Sequence, residues 1–230
     1  MKNKAETIGD KVYLTYIRDF DKGIDETYNY RDMHLKSNKL GNGLSKLGVK
    51  TGTGISMMEI NSPEFLFTVF ATWKLGAYIV LINTALKGVT LQYIIDHSDS
   101  ELLIIHWSMI DAYLDIKDEL PKIKKVIVEL NEAPADFKLP DGMISFQEIM
   151  QASDDDFEAE IDFEEKSYLM YTSGTTGPPK ATTFFYKKSV AGSALQTASG
   201  LITLFGANKD DILFTCLPLF HGNALQITAF

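Results

Sequence analysis

Hydrophobic positions in this chain follow two rhythms, a helical one and short unbroken runs. Between residues 28 and 47, Met33, Leu40, Leu44 and Leu47 fall at steps of seven, four and three, which keeps them on one stripe of a helix. Gly48 stands where a helix C-terminus favours a left-handed residue. Residues 54–60 are a short apolar run and predict a strand. Ser62-Pro63-Glu64 then supplies a capping hydroxyl, a first-turn proline and an early acid, the marks of a helix start. The helix predicted over 63–75 is apolar nearly all round, so it has to be packed on most sides. Gly76 ends it.

The same alternation continues. Strands are predicted over 78–82, 101–106 and 125–130. Helices are predicted over 90–98, with Leu91, Ile94 and Ile95 inward, and over 110–120, before Pro121. Residues 1–29 read as an irregular or short-stranded lead-in. Strands separated by helices of this length predict an α/β fold of mainly parallel βαβ units with right-handed crossovers. Residues 131–166 break the rhythm with Pro134, Pro140 and an acidic run over 154–165, and read as a solvated surface excursion. The spacing of those carboxylates suits no compact calcium cage. Beyond them come a strand (167–171), a loop (172–180), a strand (181–185), a helix (188–204) and a strand (212–217). Residues 224–230 resemble the opening of a buried helix without a cap, and predict that more of the domain follows.

Composition narrows the functional classes. With 31 acidic against 22 basic residues and a net charge of −9, and with no dense basic run, nucleic acid is a poor partner. The single cysteine, Cys216, permits no internal disulfide and points to a reducing, cytoplasmic setting. Lying in an apolar run, it is expected to be a small buried hydrophobe. Residues 1–10 lack the apolar centre of a signal peptide. The apolar stretch 65–82 is interrupted by Lys74 and Gly76, so it reads as helix, turn and strand rather than as a span of about 20 apolar residues. Peripheral contact with a membrane stays open, as does oligomeric state.

The chemistry is concentrated in Thr172-Ser173-Gly174-Thr175-Thr176-Gly177-Pro178-Pro179-Lys180, preceded by Tyr171. Four hydroxyls, two glycines and a lysine share nine residues after an apolar strand. Glycines let several backbone N–H groups face one concavity, which suits an anion. Hydroxyls add donors and can ligate Mg²⁺. Lysine adds a mobile point charge. The pattern is not a Walker loop, which needs four residues between its glycines, Gly-Lys-Ser/Thr at its end, and a helix next. Here a strand is expected to follow, so the loop should turn between two strands.

That ten-residue stretch resembles the phosphate-loop signature of the adenylate-forming superfamily, which includes acyl-CoA synthetases, firefly luciferase and the adenylation domains of nonribosomal peptide synthetases. Three weaker blocks occur in the family's order: Tyr28-Asn29-Tyr30 with its following helix holding Asn38 and Leu44, Asn61-Ser62-Pro63-Glu64-Phe65 through Ile82-Asn83, and Leu217-Pro218-Leu219-Phe220-His221. The resemblance covers nearly the whole chain but only the first part of such an enzyme. It implies that residues 1–230 are the N-terminal part of the large AMP-binding domain, with the rest of that domain and a C-terminal lid domain lying beyond. Residues 83–88, Asn-Thr-Ala-Leu-Lys-Gly, lean toward long-chain, very-long-chain and carnitine-type CoA ligases. Two departures are Ala181, where the family usually has glycine, and Tyr186, near a common Thr-His pair.

The resemblance implies an acid–CoA ligase using ATP, Mg²⁺ and CoA. A carboxylic acid, in the first instance a fatty acid, attacks the α-phosphorus of ATP and expels pyrophosphate, and CoA then displaces AMP. By resemblance Thr172, Ser173, Gly174, Thr175, Thr176, Gly177 and Lys180 hold the β- and γ-phosphates, with Thr172 a candidate magnesium contact. Phe220 and His221 line the acyl-carboxylate side, and Lys180 and His221 are the catalytic candidates. His34, His97 and His106 fall on helix faces or a strand end and are assigned no catalytic role. Competing readings are an amino-acid or aryl-acid adenylation domain, a non-catalytic paralogue that binds nucleotide or acyl groups, and a phosphate-binding ATPase.

Overall fold

The computed structural model describes residues 1–172, 177–188, 200, 206, 208, 210–222 and 224–225. Helix α1 (Lys2–Ile8) leads into an antiparallel hairpin of β1 (Val12–Asp19) and β2 (Ile24–Asn29), which forms a small sheet of its own. Helix α2 (Tyr30–Lys46) begins with a capping box: Asn29 accepts from the Asp32 N–H at 2.8 Å, and the Asp32 carboxylate accepts from the Asn29 N–H at 2.9 Å. It ends at Gly48, φ +93°, where the Val49 and Gly48 N–H groups donate to the carbonyls of Leu44 and Ser45. This is the Schellman arrangement that a C-terminal glycine permits.

The main sheet follows. In chain order its strands are β3 (Gly54–Met58), β4 (Tyr78–Leu81), β5 (Leu102–His106), β6 (Lys125–Glu129), β7 (Ile144–Ser145), β8 (Lys166–Thr172) and β9 (Lys180–Phe185). In space they run β7-β6-β5-β3-β4-β8-β9, parallel except for β9. Helix α3 (Pro63–Lys74) connects β3 to β4. Helix α4 (Gly88–His97) returns the chain past β3 to β5. These crossovers travel in opposite directions, so crossovers of one hand place α3 and α4 on opposite faces. Two cores result. Met33, Leu40, Leu44, Phe65, Val69 and Ile79 anchor the α2–α3 side, and Leu91, Ile94, Ile95, Val80 and Ile105 the α4 side. Because the exits from β3 and β4 diverge to opposite faces, the switch point, where ligands collect in such sheets, lies at their carboxyl ends.

The α/β expectation and its strand–helix alternation therefore hold, and three local expectations change. The helix predicted over 110–120 stops early: α5 (Ile110–Leu114) is followed by a 3-10 turn at Lys117–Glu119. Ile110, Tyr113 and Ile116, all buried, recur every third residue, a period a three-residue turn serves as well as an α-helix. The region 131–166 is more than a solvated linker. It contributes β7 and α6 (Phe146–Ile149), and Phe146 is buried. Its acidic run docks on α2: Asn38 donates to the Asp154 carbonyl at 3.0 Å, and Asn42 to the carbonyls of Ser153 at 2.8 Å and Asp155 at 3.0 Å. Gly43 of α2 makes room for this region, since a Cβ there would lie 2.5 Å from Ile149 Cγ2 and 2.6 Å from its carbonyl oxygen.

The third change concerns 212–217, which forms no strand. Ile212 is 94% exposed and Phe214 75%, and Cys216 is exposed rather than buried. Apolar composition alone does not make a strand: its backbone groups need a neighbour, and no described strand pairs with this run. The helix expected over 188–204 lies almost wholly outside the described residues. No helix among the described residues is long and apolar enough to cross a membrane.

Candidate active site at the carboxyl edge of the sheet

β8 leaves the sheet at Thr172 and β9 enters it at Lys180, and these two residues face each other as the last antiparallel pair. A connection this short cannot make a parallel crossover, so β9 has to run antiparallel. The arms beneath the loop are firmly held. Tyr168 stacks on Phe184 with ring centroids 4.2 Å apart and planes 10° off parallel. The Trp73 indole N–H donates to the Ser167 carbonyl at 3.1 Å, and the Ser167 hydroxyl to the Phe184 carbonyl at 3.0 Å. Tyr186, one of the two departures noted above, is buried, and its hydroxyl donates to the Ala77 carbonyl at 2.5 Å. It pins the end of β9 to the start of β4. Ala181, the other departure, pairs with Tyr171 inside the hairpin and so needs no glycine-only conformation.

Above those arms the surface is open. Thr172, Gly177 and Lys180 are exposed. Gly177 has φ +99°, a conformation that favours glycine, and a Cβ there would meet nothing within 4 Å. A hydroxyl and an ammonium thus stand opposite each other at the mouth of the loop, at the carboxyl end of a parallel strand next to the switch point. Ser173, Gly174, Thr175 and Thr176 lie outside the described residues.

The second predicted group, Phe220 and His221, follows a clamp that sequence reasoning missed. Asn61, just past β3, donates its amide N–H to the Leu217 carbonyl at 2.9 Å, and its side-chain oxygen accepts from the Leu219 N–H at 2.7 Å. Two of the weaker sequence blocks are therefore hydrogen-bonded to each other across more than 150 residues. The available signal was an asparagine directly before a Ser-Pro helix start. Leu219, Ala224 and Leu225 are buried in the α2–α3 core, and the His221 N–H closes a turn on the Pro218 carbonyl at 3.0 Å. The Phe220 and His221 rings lie 4.7 Å apart. Both predicted groups thus sit at the carboxyl edge, Thr172 and Lys180 on β8 and β9, and Phe220 and His221 tethered at the end of β3.

The remaining histidines have structural partners. His97 Nδ1 is 2.8 Å from the Tyr171 hydroxyl and His106 Nδ1 2.8 Å from the Ser108 hydroxyl. His34 lies 2.8 Å from Asp156 and 3.0 Å from the Lys74 ammonium. Lys74, which interrupts the apolar stretch, also donates to Ser37 at 2.8 Å and Asn38 at 2.6 Å, and burial pushes its pKa down to about 8.

Comparison with known proteins agrees with this geometry. The family model for AMP-binding enzymes matches residues 1–230. A 3-hydroxybenzoate/4-hydroxybenzoate–CoA ligase of Thauera aromatica is 30% identical over 87% of this chain and 37% of its own length. A 4-coumarate–CoA ligase of Petroselinum crispum is 28% identical over 93% of this chain, again 37% of its own length. A medium-chain-fatty-acid–CoA ligase of Ectopseudomonas oleovorans is 26% identical over 85% of this chain and 35% of its own. The chain thus spans little more than a third of these relatives. Among solved structures, the anthranilate CoA ligase AuaEII in complex with anthranoyl-AMP superposes with a TM-score of 0.81 at 24% identity, over 96% of this chain and 40% of that one. With a family-model match over residues 1–230 on a doubly wound, mostly parallel sheet, the chain belongs to the AMP-binding enzyme family.

Proposed function

We propose that this chain supplies the phosphate loop and part of the acid pocket of an ATP-dependent acid–CoA ligase. The observation that carries the reading is the Thr172–Lys180 pair, exposed at the carboxyl end of β8 with a left-handed Gly177 in the connection between them. In the first half-reaction the acid's carboxylate oxygen attacks the α-phosphorus, the α–β phosphoanhydride bond breaks, and pyrophosphate leaves. In the second the CoA thiol attacks the acyl carbon and AMP leaves. The chain's part is positioning and charge neutralisation. Lys180 and the residues from Thr172 to Gly177 hold the β- and γ-phosphates. The described residues include no group of three or more His, Cys, Asp or Glu side chains arranged for a metal. Magnesium would enter with the nucleotide, and the Thr172 hydroxyl is this chain's candidate contact for it.

Phe220 and His221, presented by the Asn61 clamp, line the carboxylate side of the acid. Residues 83–88 favour a fatty acid, while the relatives act by name on aromatic as well as fatty acids, so a panel of both reads the substrate class directly. The test of mechanism is ATP–pyrophosphate exchange by a polypeptide carrying the remaining length of its relatives. Lys180→Ala should slow that exchange by about tenfold or more, about 1.4 kcal/mol of barrier. An unchanged rate would refute the role given to the Lys180 charge. Residues 1–230 alone should show no exchange, and robust exchange by them would refute the assignment of the remaining catalytic groups to another segment.

A further inference from the structure

Away from the phosphate loop, the carboxyl edge carries a second, closed constellation. β5 pairs His106 with Glu129 of β6, and β3 pairs Met58 with Ile105 of β5. Continued by one residue, that register sets Glu59 beside His106, so Glu59, His106 and Glu129 form a row across three adjacent strands. Met57, Ile104 and Ile127, each two residues earlier, belong to the α2–α3 core, so the row shares that face. Glu59 is 2% exposed, His106 4% and Glu129 1%.

Their polar atoms are poorly served. Glu129 accepts from the Asn131 N–H at 2.7 Å and from Gln147 at 3.3 Å, with His106 Nε2 3.7 Å away. Among the described residues Glu59 has no hydrogen-bond partner on either carboxyl oxygen, and Oε2 of Glu64, in the first turn of α3, is buried and unpartnered as well. Burial, with the charges of Glu129 and Glu64 behind it, pushes the Glu59 pKa well above the carboxylate range. Burial likewise pushes Glu129 up to about 7, with Glu64 behind it, although the Asn131 amide, Gln147 and Arg18 act against it. Burial pushes His106 down, which weakens it as a countercharge. A buried carboxyl with no donor facing it is tolerated when it keeps its proton. A metal ion would be the alternative, and the described carboxylates do not converge on one.

The β1–β2 hairpin reaches the elements flanking this row at two points. Arg18 of β1 binds Glu26 of β2 at 2.5 Å and Glu132, just past β6, at 2.8 Å. Tyr28 of β2 rests edge-on against Phe67 of α3, with centroids 5.4 Å apart. A two-stranded hairpin is marginal by itself, so its order depends on what it covers. We propose that Glu59 and Glu129 form a proton-operated latch under the β1–β2 hairpin: while both carboxyls are neutral the hairpin stays closed on the sheet edge, and their ionisation opens it to admit water.

The ionisable groups that act on the pair are Glu64 from α3, His106 from β5 and Arg18 from the hairpin; Tyr16, Glu26, Tyr28 and Glu132 surround Arg18 and Glu64. Gln147 from α6 is the neutral donor among their neighbours. Arg18 is the fixed cation of this set, and Glu26 and Glu132 already engage it. Both latch groups have a folded-state pKa above the unfolded value. The closed form therefore holds the extra protons, is favoured on the acid side, and loses that advantage as pH rises through about 7 for Glu129, with Glu59, also raised, acting in the same direction.

Hydrogen exchange on the 230-residue chain, corrected for intrinsic rates, tests the latch without reference to ligase chemistry. Amides of residues 12–29 should lose about tenfold in protection between about pH 5.5 and about pH 8.5, while those of β3 and β5 keep theirs. Glu59→Gln with Glu129→Gln should abolish that pH dependence. Flat protection in the unaltered chain, or the same loss in the double variant, overturns the proposal. Infrared spectroscopy of the unaltered chain keeps the idea falsifiable should the double variant fail to fold: a protonated carboxyl band has to persist at pH 6.5, below the Glu129 value of about 7, and its absence overturns the proposal. Restored protection at the alkaline end on adding potassium chloride, but not tetramethylammonium chloride, would make the row a cation site and likewise overturn it.

Discussion

Replacing Asn61 by alanine should loosen the segment that presents Phe220 and His221 without unfolding the sheet. Asn61 makes two hydrogen bonds to that segment, a donation of 2.9 Å to the Leu217 carbonyl and an acceptance of 2.7 Å from the Leu219 N–H. Each contributes about 1 kcal/mol net, so together they supply about 2 kcal/mol to local closure, or about thirtyfold in the opening equilibrium. Leu219 is 7% exposed, so its N–H would also be left without a partner away from water. The assay is amide hydrogen exchange at Leu219 in the 230-residue chain, read beside urea unfolding. Protection at Leu219 should fall by about thirtyfold, with a much smaller change at β3 and β5. Asn61→Asp keeps the acceptor and loses the donor, so it should fall between the two. An unchanged Leu219 exchange rate in Asn61→Ala would mean that Leu219, Ala224 and Leu225 hold the segment by core packing alone, and the clamp argument would fail.

Other consequences follow from buried groups and tight contacts. Lys74 has a pKa of about 8 in the folded chain against 10.5 for the free side chain. The unfolded state therefore binds more protons between those values, and stability should rise with pH across that window. Urea unfolding at pH 8 and pH 10.5, the two ends of that window, should show a stability change with pH that is more positive in the unaltered chain than in Lys74→Met; parallel slopes would refute the assignment. Gly43→Ala places a methyl against the Ile149 backbone and should destabilise by about 1–3 kcal/mol, despite a helix-propensity gain of about 1 kcal/mol, as a lowered urea midpoint. Tyr186→Phe removes the bond to the Ala77 carbonyl and should cost about 1 kcal/mol in the same assay.

Much of the fold was legible because its determinants are local. The capping sequence at Ser62-Pro63, the glycine stop at Gly48 and the buried runs of β3, β5 and β6 each announce themselves within a few residues, and each stands within a residue or two of its expected position. The strand–loop–strand context of Thr172 and Lys180 was legible for the same reason. What stayed hidden depends on distant partners. The start of the acidic run over 154–165 looks like a solvated tether until Asn38 and Asn42 of α2 are seen donating to the carbonyls of Ser153, Asp154 and Asp155. Lys74 looks like a break in an apolar stretch until His34, Ser37 and Asn38 are seen surrounding its ammonium.

The run at 212–217 fails in the opposite sense, and the failure is instructive. Its composition is that of a strand, yet Ile212 and Phe214 are exposed. β-propensity expresses how well a side chain fits a pleated surface that already has neighbours, so a run with no paired strand among the described residues has nothing to fit. Five residues further on, equally apolar side chains at Leu219, Ala224 and Leu225 are buried, and the difference is the tether: Asn61 fixes Leu217 and Leu219 to the end of β3, and burial follows from that anchor. The same logic separates the two halves of the carboxyl edge. At β8 and β9, a hydroxyl and an ammonium are left exposed, as the proposed phosphate contact requires. Just past β3 and at the end of β6, the carboxyls of Glu59 and Glu129 are buried on either side of His106, where they can be retained only in neutral form or beside a countercharge.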